Sequence, residues 1–205
     1  AEDGIRDDLV TGVQTCALPI LDKDFTESLG LWDDYLVQME EKASRSLAVA
    51  QTLMDGSLTV DTRKRFDDDW AYLWGWLHLN FLTTTMDELR DTGRLTLIQS
   101  DELRQGLVKF ASHLDTQRTI NTNLGNMLME FYKQLGEVTR MKPGTFELLS
   151  GNTDLLSDER VYTYVNQVAI YQTMVHVEAR NSYREASELH QKVQQELQRA
   201  RQGSE

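Results

Sequence analysis

Cysteine, proline and clustered positive charge are what this 205-residue chain has least of: one cysteine, two prolines, and 21 basic against 33 acidic residues. A lone cysteine, Cys16, excludes an intrachain disulfide, and with four scattered histidines it gives a zinc site no ligand set. Two prolines leave long stretches free to stay helical. The formal charge of -12, with no basic cluster, argues against a nucleic-acid binder. From Leu21 onward no apolar run is long enough to span a bilayer.

Catalytic patterns are missing too. The chain has no H-E-x-x-H, P-loop or G-x-G-x-x-G fingerprint. Di-iron bundles place Glu three residues before His, whereas Gly75, Phe110, Thr173 and Ser187 precede His78, His113, His176 and His190. The acidic run Asp67, Asp68 and Asp69 cannot converge on one ion, because successive helical side chains diverge by about 100°. It is expected to form a solvated face. His176, between Val175 and Val177, is expected to be a core histidine. No catalytic, cofactor-binding or metal-ligating residue is nominated, no cofactor is expected, and a non-enzymatic role follows.

What the chain does have is helical periodicity, beginning with the stretch from Asp87 to Phe110 around which the rest is organised. Thr84 or Thr85 is placed to cap a short helix over Met86 to Asp91, and Gly93 supplies the positive φ at which it stops. Leu95, Leu97 and Ile98 form an apolar hook. Ser100 caps the next helix, with Asp101 and Glu102 in its first turn.

Four helical stretches surround this turn. From Asp22 to about Met54, Phe25, Trp32, Met39 and Leu53 form one seven-residue row, interrupted by Ser46; Leu29, Leu36, Ala43 and Ala50 form the other. A second helix is expected to be capped by Asp61 and to carry Phe66, Trp70, Leu73, Leu77 and Phe81. Its tryptophans read as core and not as a membrane belt, given the three neighbouring aspartates. The most regular helix runs from Asp101 to about Arg140, with Leu103, Phe110, Leu124, Phe131 and Val138 beside Leu107, Leu114, Leu128 and Leu135; Gln117 and Asn121 fill the two remaining seam positions as a register device. Pro143 and Gly144 stop it. Ser157 is expected to cap a last helix to about Ala200, carrying Val161, Tyr164, Val168, Tyr171, Val175, Ala179, Ser182, Ala186, Leu189, Val193 and Leu197.

Residues 1–20 stand apart. AEDGIRD and VTGVQTCALPI resemble a translated short-read sequencing adapter, so Ala1 to Ile20 is expected to be non-native and is set aside from the fold. Glu2, Asp3, Asp7 and Asp8 against Arg6 carry -3 of the -12, leaving -9 for a remainder without cysteine.

Glu88, Leu89, Thr92, Gly93, Leu95, Leu97 and Ile98, followed by Glu102, Leu103, Arg104, Leu107 and Phe110, resemble a family of uncharacterised bacterial membrane-anchored helical proteins. The likeness covers Leu21 to Gln202 loosely and this segment closely. It implies one N-terminal transmembrane helix, placed before native sequence begins here, and a soluble extracytoplasmic helical domain. It brings no chemistry.

The expectation is therefore an all-α protein with residues 21–202 as a single domain: an elongated antiparallel bundle of long helices with coiled-coil-like packing and a short helix-turn cap at 85–99. Its expected function is an envelope-associated scaffold or interaction domain that partners a second copy or another envelope protein, with no nucleic acid and no membrane contact besides the anchor. The alternative is a small-molecule sensor with a pocket in the bundle, near Gln117 and Asn121 or under the tryptophans.

Overall fold

The computed structural model describes residues 17–74, 83–138 and 158–202, and every regular element among them is helical. In chain order these are α1 (Leu18–Asp55), α2 (Val60–Trp70) with a 3-10 turn at Ala71–Leu73, α3 (Thr84–Asp91), a second 3-10 turn at Arg94–Leu97, α4 (Asp101–Val138) and α5 (Glu159–Gln202). The protein is an all-α bundle, as expected. No helix among the described residues is long and apolar enough to cross a membrane.

Local chemistry explains most of the helix ends. The cap of α2 is Thr59 and not Asp61: its hydroxyl accepts the Thr62 N–H at 3.3 Å while the Thr62 hydroxyl accepts the Thr59 N–H at 2.8 Å. This reciprocal pair satisfies two otherwise unmatched donors. The N-cap of α3 is Thr83 and not Thr84 or Thr85, and its side chain makes no capping bond. Gly93 has φ of +70°, where a side chain is disfavoured. Ser100 accepts the Leu103 N–H at 3.2 Å, and Arg104 ties the hook to α4 by donating to the Ile98 carbonyl and pairing with Asp101. Ser157 lies outside the described residues. Asp158 precedes α5 and accepts the Arg160 N–H at 2.9 Å; hydrogen bonds from the Arg160 guanidinium and this amide hold the carboxyl down to about 2.

Gly93 gives a first test. A Cβ there meets no other atom within 4 Å, so the cost of Gly93→Ala is conformational and not steric. Urea titration should show a loss of about 1–2 kcal/mol, the cost of a left-handed residue. An unchanged midpoint would mean the turn does not need this backbone.

Buried positions repeat every seven residues along all three long helices. On α4 the expected rows are the buried ones: Leu103, Phe110, Gln117, Leu124 and Phe131 beside Leu107, Leu114, Asn121 and Leu128. On α1 the first row is buried from Phe25 to Ser46, with Leu53 only half-buried, and extends back to Leu18, which is 1% exposed although it falls in the adapter-like segment. The second row is Leu21, Ser28, Tyr35, Lys42 and Val49; Leu29 and Leu36 are only half-buried, while Ala43 and Ala50 are buried beside it. Polar residues at three of those five positions hide the row from a hydrophobicity count. On α5, Val165 and Gln172 take the places expected of Tyr164 and Tyr171, which are half-buried. An amphipathic phenol ring tolerates a seam edge, where its hydroxyl stays wet.

The described residues fall into two compact units, to both of which α1, α4 and α5 contribute. The first takes residues 17–34, 83–117 and 179–202. Its core gathers Leu18, Leu21, Phe25 and Trp32 from α1, Met86 and Leu89 from α3, Ile98, then Leu103, Leu107, Phe110 and Leu114, and Ala186, Leu189, Val193 and Leu197. Leu95 and Leu97 pack against it, so the hook plugs in as expected. Helix α5 runs antiparallel to both neighbours here: His190 bonds Asp22 of α1, while Lys192 and Glu185 meet Glu102 and His113 of α4. Close approach is helped by Gly106, whose Cβ would stand 2.5 Å from Leu189 Cδ2.

The second unit takes residues 35–74, 118–138 and 158–178. Its core is built on a run of aromatic contacts, Phe66 to Trp70 to Trp74 to Phe131 to Tyr164, with ring centroids 5.7 to 6.2 Å apart. Trp70 and Trp74 are buried, as the core reading requires. Trp76, Leu77 and Phe81 lie outside the described residues. Helix α2 ends at Trp70, short of the expected Phe81, because the backbone tightens to a 3-10 turn and Trp74 is extended at ψ 150°.

Candidate functional site

The densest set of interacting charges in the second unit lies where α1 meets the end of α2. Lys42 occupies a seam position of α1 among apolar neighbours, 7% exposed. Its ammonium donates to the Tyr72 carbonyl at 2.8 Å and the Trp74 carbonyl at 2.9 Å, where α2 and its 3-10 turn end. Burial pulls this amine down to about 8.

One turn further along α1, Arg45 donates to Glu41 from Nε at 3.0 Å and to Asp69 from Nη1 at 3.2 Å, and its guanidinium lies 4.2 Å from the centroid of the Tyr72 ring. The Tyr72 hydroxyl donates back to Glu41 at 3.2 Å. Three residues of α1 thus grip the 3-10 turn by its carbonyls, its ring and its hydroxyl. Beside this grip an open groove of about 690 Å³ runs between α1 and α2, lined by Glu41, Ser44, Arg45, Asp61, Lys64 and Asp68 among others.

The three aspartates diverge as helix geometry requires, but they do not share one solvated face. Asp67 pairs with Arg63 at 2.9 Å, Asp68 lines the groove, and Asp69 is buried against Arg45, with Arg65 at 3.7 Å. Two histidines bridge helices of the first unit. His190 Nε2 bonds Asp22 at 2.8 Å while its ring stacks on Phe25 at 6.0 Å, and His113 Nδ1 bonds Glu185 at 2.5 Å. His176 is buried on α5, as expected, and His78 lies outside the described residues.

No family model, curated protein or solved structure matches this chain. Among the described residues no three His, Cys, Asp or Glu side chains gather where they could hold a metal. Burial lowers the Lys42 amine toward the range in which lysines act as nucleophiles. Yet its nitrogen is directed at two backbone carbonyls.

A second polar feature crosses the seam. Ser46 donates to Gln172 Oε1, both residues fully buried. Phe131 of α4 meets Tyr164 of α5 with ring centroids 5.8 Å apart, and Asn121 and His176 are also buried in this unit. Asn121 Oδ1 and Gln172 Nε2 are buried without a hydrogen-bond partner. Lys42 and Gln172, the buried seam residues that organise these two features, were missed by the sequence reading. The usable signal was spacing: Lys42 is seven residues from Tyr35 and from Val49.

Proposed function

We propose that this chain is a non-enzymatic interaction module, a helical scaffold whose polar side chains join helices. Its resemblance to bacterial membrane-anchored helical proteins supports an extracytoplasmic helical domain. One observation carries the reading: the groups best suited to chemistry are engaged between helices. Lys42 holds two carbonyls, Arg45 is shared by Glu41, Asp69 and Tyr72, and His113 and His190 bridge to Glu185 and Asp22. A reactive centre needs such groups aimed at a common point where a substrate atom can sit.

The rival sensor reading draws on the unmatched Asn121 and Gln172 atoms and on the groove beside Arg45. Tryptophan emission separates the two, because Trp32, Trp70 and Trp74 are buried and report repacking. Titration with a panel of small metabolites should leave the emission flat. A saturable shift with any one of them would replace the scaffold reading by the sensor.

A further inference from the structure

We draw no further inference here: the strongest candidate, the exposed apolar ridge of Ile170, Met174 and Val177 on α5, is a bare helix face, and nothing in the structure shows what covers it.

Discussion

From about pH 7.5 to 9.5 the folding stability of this protein should rise by about 1–2 kcal/mol, and Lys42→Met should remove the rise. Burial lowers the Lys42 amine from 10.5 to about 8 in the folded chain. Between those values the unfolded chain holds a proton that the folded chain has released, so raising the pH favours folding. The gain begins near pH 8 and is complete near 10.5. Above pH 10 the trend is opposed by Tyr35, which burial pushes up to about 12, and by Tyr183, raised chiefly by its hydrogen bond to Asp33. Each keeps a proton in the folded state that the unfolded state loses. Urea titrations of both proteins at several pH values measure the difference. A wild-type slope equal to that of Lys42→Met would show that the amine is solvated and does not hold the Tyr72 and Trp74 carbonyls.

Trp70→Ala should cost about 3–5 kcal/mol, the usual loss for a large buried aromatic. Its ring is 1% exposed and bridges Phe66 and Trp74, 5.7 and 6.2 Å away. Against a typical stability of about 5–15 kcal/mol, that loss is a large share of what holds a domain together. Far-ultraviolet circular dichroism in urea reads it directly. A loss below about 1 kcal/mol is what a surface ring gives, and would revive the membrane-belt reading of these tryptophans.

How much of this was legible depended on whether apolarity and burial coincide. Along α4 they do, and every seam residue from Leu103 to Phe131 was read correctly, including the polar Gln117 and Asn121, because an unbroken seven-residue frame surrounds them. Along α1 they do not. Ser28, Tyr35 and Lys42 sit on the seam, so counting oily residues turned the second row to Leu29 and Leu36. Gly93 was legible because few residues accept its backbone angles. The end of α2 was not, since its aromatic run reads equally well as a longer helix, and the lysine that donates to the Tyr72 carbonyl stands about 30 residues earlier. The grip of Glu41, Lys42 and Arg45 on Tyr72 and Trp74 is likewise a tertiary fact: the sequence gives the donors, and only packing gives them their acceptors.

The central claim is that buried polar groups here serve helix packing and not a ligand, and Asn121→Leu measured by urea denaturation tests it most directly. Asn121 is 4% exposed, and its Oδ1 is buried without a hydrogen-bond donor. Exchanging it for an apolar side chain on the same seam should therefore raise stability by about 1 kcal/mol. A fall of that size or more would contradict the account, because it would mean that the oxygen is satisfied in solution by something that fills the middle of the bundle.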